Sequence, residues 1–288
     1  MSKLSVTTTA LFFLHSALWA PSVAAKWFTQ QDLFTAAHQN LLEGKTSQSF
    51  DSMVQAWQQN PTNIQTSNLN GLLELAITED CGHSLDQAPL PPWLSSLVIQ
   101  REMVQNQNQI LPKLLINGVS EPRVTSIEFI RWPEQSVISA TPKRLNGGYF
   151  SIETKRLEKA SNEGLYQLTI KADGEEDYTT WVLMTAPSKK QRIGWIDSRN
   201  WRIERNGLPN RACPSPVLAM NVYDLNDTSW TPLWTENVDG KLPTTVPKLD
   251  LPDGRYWLSV GLVESRWQGE ISILDIQTIT RPVDFPDY

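Results

Sequence analysis

Glu163-Gly164-Leu165-Tyr166-Gln167-Leu168-Thr169-Ile170 recurs as Asp253-Gly254-Arg255-Tyr256-Trp257-Leu258-Ser259-Val260, at an offset of 90. Each copy runs from an acidic turn residue through a glycine into apolar side chains at every second position, the period of a strand with one buried face. Upstream, Thr125-Ser126-Ile127-Glu128-Phe129-Ile130 aligns with Leu218-Ala219-Met220-Asn221-Val222-Tyr223 at an offset of 93 and keeps the inward parity. Two strands repeated in the same order at nearly the same offset point to a duplicated domain. From about Leu111 the period is two throughout, broken by Pro, Gly and Asp turns. Two tandem β-sandwiches are expected, over residues 111–187 and 190–285.

The turn-Gly-x-Tyr-x-apolar-x-apolar pattern resembles the penultimate strand of immunoglobulin-like and fibronectin-like domains. The resemblance implies that Tyr166 and Tyr256 each pack at a sandwich corner and bond back to the main chain. Neither half carries an intradomain cysteine pair and each is small for that fold, so strand count and topology stay open. In the second copy the inward face is Tyr256, Leu258, Val260 and Leu262, which turns Trp257 outward where the first copy has Gln167. An outward Trp needs cover from a neighbouring domain or a partner. Trp267 is expected in the following turn, Ser265-Arg266-Trp267-Gln268-Gly269, roughly 25 to 30 Å from Trp257 along an extended chain. The two cannot form one sugar platform.

Residues 26–110 have helical period and many Gln and Asn. Thr29-Gln30-Gln31-Asp32 reads as a capping box for a helix over 30–43, with Leu33, Phe34, Ala37, Leu41 and Leu42 on one face and Gly44 as its stop. A second helix carries Phe50, Met53, Val54 and Trp57 and ends before Pro61. A third spans 68–80, with Gly82 as its C-cap, and a fourth opens at Pro92 and runs through Leu94, Leu97 and Val98. The first two resemble one tetratricopeptide repeat, through Leu33, Ala36, Ala37, Gly44, Met53 and Ala56, with Ser49 in place of a small Ala. A plain four-helix bundle is the alternative. The expected fold class is thus multidomain: a small helical domain with a partial resemblance to a tetratricopeptide repeat, followed by two tandem immunoglobulin-like β-sandwiches.

Residues 1–25 read as a cleaved signal peptide: Lys3, an apolar run from Ala10 to Ala20 and small residues up to Ala25. A short membrane anchor is the alternative, disfavoured because a spanning helix needs about 20 apolar residues. Removal takes away one charged side chain and moves the formal net charge from -6 to -7. With no basic run, nucleic acid and anionic lipid are not expected partners. The two cysteines, Cys81 and Cys213, are expected to form a disulfide in an oxidising compartment, taken to be the periplasm. So long a closed loop would stabilise by about 5 kcal/mol at most. Two buried thiols or one reactive cysteine are the alternatives.

Catalytic groups are sparse. After signal removal only His38 and His83 remain, and no nucleophile elbow, zinc motif or phosphate loop occurs. Asp80-Cys81-Gly82-His83 crowds an acid, a thiol and an imidazole together, and reads as a capped helix end with a bridging cysteine in preference to a nucleophile or metal site. Glu175, Glu176 and Asp177 read as a solvated turn, and Asn226-Asp227-Thr228 as a turn. Arg199, Trp201 and Arg202 combine cations with an indole and are candidate binding or interdomain residues, as are Trp257 and Trp267.

The segments 49–58, Asp80-Cys81-Gly82-His83-Ser84-Leu85 and Pro91-Pro92-Trp93-Leu94, with the secretory start, resemble a family of uncharacterised Gram-negative envelope proteins encoded near a cell-wall-stress two-component system. The resemblance implies an envelope role without an activity. The expected function is a non-catalytic periplasmic protein-binding or adaptor protein, with no cofactor and no metal. A cell-wall-acting enzyme or wall-binding protein is one alternative and a pilus-type assembly chaperone another, the leading helical part arguing against the latter.

Overall fold

The computed structural model describes residues 32–106, 109–154, 163–186, 191–227 and 230–285. Both the expected signal peptide and, apart from Asp32, the first capping box lie outside them. Helix α1 spans Leu33–Leu42, α2 spans Thr46–Gln58 and α3 spans Asn63–Ala76. The third helix starts earlier than its apolar spacing suggests because Thr62 and Gln65 close a reciprocal capping box, Thr62 N–H donating to Gln65 Oε1 at 2.9 Å and Gln65 N–H to Thr62 Oγ1 at 3.4 Å. It also ends earlier, and Cys81 and Gly82 sit in turns beyond it with φ of 59° and 94°. Ser49, fully buried, donates to the Ala37 carbonyl at 2.7 Å where α2 crosses α1.

The expected fourth helix is strand β1, Leu94–Gln105. A bulge at Ser95 explains the misreading: Leu94 pairs with Ser120 and Ser96 with Val119, leaving Ser95 as the extra residue. Leu94 and Leu97 therefore both face inward at a spacing of three, which imitates a helix.

Strands β2 (Ile110–Ser120), β3 (Val124–Arg131), β4 (Gln135–Ala140), β5 (Lys143–Arg144), β6 (Tyr149–Glu153), β7 (Gly164–Ala172) and β8 (Tyr178–Met184) follow. The later half contributes β9 (Gln191–Trp195), β10 (Trp201–Arg205), β11 (Val217–Asp224), β12 (Pro232–Val238), β13 (Gly254–Gln268) and β14 (Ile271–Phe285). One four-stranded sheet has the order β4-β3-β7-β8, and an eight-stranded sheet has the order β12-β11-β13-β14-β1-β2-β6-β5. The two halves of the larger sheet join through β1 and β14, which run parallel. A separate hairpin pairs β9 with β10.

The sequence repeat is a repeat of pairing. Ile127 faces Ile170 and Phe129 faces Leu168 across β3 and β7, while Met220 faces Val260 and Val222 faces Leu258 across β11 and β13. Residue by residue these are the aligned positions of the two copies. Each pair is also flanked alike, by β4 and β8 in one case and by β12 and β14 in the other.

Two apolar cores lie along the inner face of the eight-stranded sheet. Leu97, Ile99, Ile116, Ile271 and Ile273 pack against Ile127, Phe129, Tyr166 and Leu168 of the four-stranded sheet. Met220, Val222, Leu258, Val260 and Ile279 pack against Ile193 and Trp201 of the β9–β10 hairpin. Fully burying one such side chain stabilises by roughly 1.5 to 3 kcal/mol. The helices bury Met53, Leu69, Leu72 and Leu73 on the opposite face of the four-stranded sheet, where Leu165 and Leu183 point outward. Cys81 and Cys213, 132 positions apart in sequence, form a disulfide with their Cα atoms 4.9 Å apart.

Candidate functional site

Between the two cores the inner face of the eight-stranded sheet turns polar. On β14, Ile271 and Ile273 belong to the first core and Ile279 to the second, and Asp275 and Gln277 lie between. Arg101 continues the inward row of Leu97 and Ile99 on β1, and it is the ladder partner of Asp275, which in turn faces Glu264 on β13. Arg266, two residues along β13, shares the face of Glu264. Four charged side chains thus meet at one seam.

Arg101 is only 1% exposed, and its Nε donates to Asp275 Oδ1 at 2.6 Å while Nη1 donates to the Thr185 carbonyl. Removing one partner of such a pair would leave a buried charge alone, at a cost of about 3 to 5 kcal/mol. Arg266 is 8% exposed and less well met. Its Nη2 donates to the Leu183 carbonyl at 2.6 Å, but Nε and Nη1 have no hydrogen-bond partner. Burial pushes its pKa down to about 10, with Asp275 opposing that shift and Arg101 adding to it. Arg266 therefore remains a cation at neutral pH.

A cavity of about 760 Å³ opens at the seam, lined by Glu74 of α3 and Ile77 just beyond it, Arg192 from β9, Glu264 and Arg266 from β13, Asp275 from β14 and the loop bearing Pro209, Asn210, Cys213 and Pro214. Its volume falls in the range of small-molecule sites, about 300 to 1,000 Å³. The disulfide fixes one wall, and Asn210 Nδ2 ties the same loop to the Ile77 carbonyl at 2.7 Å.

The residues singled out in the sequence fall elsewhere or into the frame. Trp201 is completely buried in the second core, its Nε1 donating to the Pro243 carbonyl at 2.9 Å, and so presents no surface to a partner. Arg202 is exposed and paired with Glu204 at 2.5 Å, and the Arg199 carbonyl accepts from Val246 N–H at 2.9 Å. Trp267 lies inside β13, not in a turn, and stacks on His83. Tyr256 Oη donates to the Pro252 carbonyl at 2.9 Å, and Tyr166, buried, stacks on Phe129 at 4.5 Å. In the Asp80-Cys81-Gly82-His83 cluster the thiol is oxidised, and the Asp80 carboxylate accepts from Gly82 N–H at 2.9 Å and Ser84 N–H at 2.7 Å. Among the described residues no group of three His, Cys, Asp or Glu is placed to hold a metal ion.

Trp257 is half-buried in an aromatic cluster that sequence spacing alone did not reveal. Trp230 meets Tyr223 at 5.5 Å and Trp257 at 6.3 Å between ring centroids. Trp230 itself is 57% exposed, and Leu225 and Leu233 on the same β11–β12 hairpin are exposed as well. Strand β12 is an edge of the eight-stranded sheet. Pro232 at its start and Glu236 within it are residues that discourage a further strand from adding there.

A family model described as "Protein of unknown function (DUF2861)" matches residues 27–284. The chain belongs to that family. The match takes in all three helices and nearly the whole of β14. No curated protein matches the chain. Solved structures that align with it include the BSP domain of a biofilm associated protein, 16% identical over 68% of this chain and 30% of that one, with a TM-score of 0.23. A Salmonella alpha-2-macroglobulin mutant aligns at 10% identity over 68% of this chain and 15% of its own, with a TM-score of 0.23. The 47-kilodalton lipoprotein of Treponema pallidum aligns at 12% identity over 66% of this chain and 52% of its own, with a TM-score of 0.22. The chain spans less than two thirds of each of these proteins. Among the described residues no helix is long and apolar enough to cross a membrane.

Proposed function

We propose that the chain is a non-catalytic binding or adaptor protein of the Gram-negative periplasm, exported by a cleaved signal peptide and connected with cell-wall sensing. The observation that carries this reading is the β11–β12 hairpin, where Leu225, Trp230 and Leu233 stand exposed beside Tyr223 and Trp257. Exposed aromatic and aliphatic side chains gathered on one hairpin suit docking of a protein partner. The strand orders β5-β6-β2-β1 and β4-β3-β7-β8 support reading the first half as an immunoglobulin-like sandwich. The second half repeats β12-β11-β13-β14 but opposes it with the β9–β10 hairpin, a reduced form of the same module. The helices are better read as a brace than as a repeat array, because their apolar face is occupied by Leu165 and Leu183.

Pull-down from envelope extract tests the reading, with the mature protein and its Trp230→Ser variant as baits. One reproducible protein retained by the first and lost by the second supports it. Equal recovery by both baits, or turnover of peptidoglycan fragments by the purified protein, would count against it.

A further inference from the structure

We propose that the cleft between the α2–α3 turn and the β3–β4 turn binds a neutral saccharide of one or two pyranose rings, with Trp132 as its aromatic platform. The proposal goes beyond protein docking and uses none of the residues of the β11–β12 hairpin. The cleft encloses about 390 Å³, with Trp57 and Asn63 on its helical side and Arg131 and Trp132 on its strand side. Its size suits a small ligand. Trp132 Nε1 donates to the Gln58 carbonyl at 3.1 Å, its main-chain N–H donates to the Leu165 carbonyl at 2.8 Å, and Trp181 meets its ring at 78° with centroids 5.5 Å apart. The indole is nevertheless 36% exposed, in a residue type that is highly buried on average. A ring held in place yet open to solvent loses little freedom when a ligand packs on it, which is the property of a preformed platform.

The groups around the indole set the ligand class. Asn60, Asn63 and Gln135 are exposed at the cleft, and their amides both donate and accept hydrogen bonds, as sugar hydroxyls do. Arg131 can only donate and Glu163 only accept, so an anion would meet the carboxylate and a cation the guanidinium. A neutral polyol can use both. Each of the two is also positioned: a Cβ at Gly164 would stand 3.1 Å from Arg131 Nε, and the Glu163 carboxylate accepts from Asn70 Nδ2 at 3.4 Å. Pro61 and Pro133 fix φ in the two turns, so the cleft stands formed before a ligand arrives. The C–H groups of a pyranose ring supply the apolar surface that an indole packs against, whereas a wholly apolar ligand would strip water from the amides and leave them unmet.

A printed array of neutral, acidic and amino glycans, probed with the fluorescently labelled mature, disulfide-bonded chain, provides the test, followed by isothermal titration calorimetry with cellobiose, maltose and N,N′-diacetylchitobiose. The expected result is retention on neutral glycans and saturable binding of at least one of these disaccharides. Trp132→Ala should weaken that binding about tenfold or more. Because this variant also loses the bond to Gln58, Gln135→Ala is the second: it alters only an exposed side chain, should melt as the parent chain does, and should bind more weakly too. Absence of binding to any neutral glycan, on the array and in solution, overturns the proposal. Retention confined to acidic or amino glycans does so as well, as does binding by Trp132→Ala or Gln135→Ala as tight as that of the parent chain.

Discussion

His83 lies flat against Trp267, with ring centroids 4.4 Å apart and 22° between the ring planes. Around that contact Trp267 N–H donates to the Cys81 carbonyl at 2.9 Å and Gly269 N–H to the Gly82 carbonyl at 3.0 Å. The turns after α3 are thereby laid along the end of the β13–β14 hairpin, and the disulfide to Cys213 fastens the same place to the loop before β11. Gln268 extends the joint, its amide donating to the Trp181 carbonyl at 2.6 Å and accepting from Leu183 N–H at 3.0 Å. Helices, first core and second core are linked at one point.

The close approach depends on glycine. Gly269 has φ of 59° and Gly82 has φ of 94°, and a Cβ on either would collide with a main-chain carbonyl, of Asp86 and of Trp267 respectively. Gly269→Ala is expected to lose about 2 kcal/mol or more, from the left-handed backbone penalty together with the collision. A shift in the urea midpoint at unchanged slope would show it. An unchanged midpoint would contradict this account of the joint.

Cys81→Ser with Cys213→Ser should lower stability by about 2 to 5 kcal/mol, the range for a bridge that closes so long a loop. Both cores should persist, so far-UV circular dichroism stays as it is, while proteolysis of the loop around 206–216 becomes faster. Collapse of the β signal on reduction would show instead that the cores themselves depend on the bridge.

Two tryptophans separate core from surface. Trp201→Ala removes a fully buried indole and should destabilise by about 3 to 5 kcal/mol, whereas Trp230→Ala, at an exposed position, should stay within about 0.5 kcal/mol. Chemical denaturation of the two variants checks the contrast, and comparable losses would contradict the placement of either residue.

Asp80 gives the joint a pH dependence. Burial opposes its ionisation, but hydrogen bonds from Ser84 and Gly82 outweigh that and hold its pKa below the usual carboxylate value. The stabilisation is present in full above the unfolded value of about 4 and is lost as pH falls through the lower folded value. Asp80→Asn should flatten the acid side of the stability curve below about pH 4 and leave its shape near neutrality unchanged. Urea midpoints measured between neutrality and strong acid decide it, and curves of the same shape for both proteins would contradict it.

The repeated strands of both halves were legible because alternation and repetition coincide: Ile127 and Ile170, like Met220 and Val260, keep one inward parity through both copies, and the structure adds that they pair. The capping box at Thr62 and Gln65 was equally present in the sequence, but the apolar spacing from Leu69 drew the start of the helix too late. Strand β1 was concealed by the bulge at Ser95, which gives an inward pair a spacing of three. The seam was not legible, because Arg101, Asp275, Glu264 and Arg266 become neighbours only when β1 pairs with β14 across most of the chain. The aromatic cluster was hidden for a related reason, Trp230 meeting Trp257 across the sheet and not along a strand.

The central claim, that the exposed hairpin docks a protein partner in the envelope, is tested most directly by photo-crosslinking in living cells with p-benzoylphenylalanine in place of Trp230 and, separately, of exposed Leu145. The account predicts a discrete adduct with one envelope protein from position 230 and none from position 145. No adduct from position 230, or the same adducts from both positions, would contradict it.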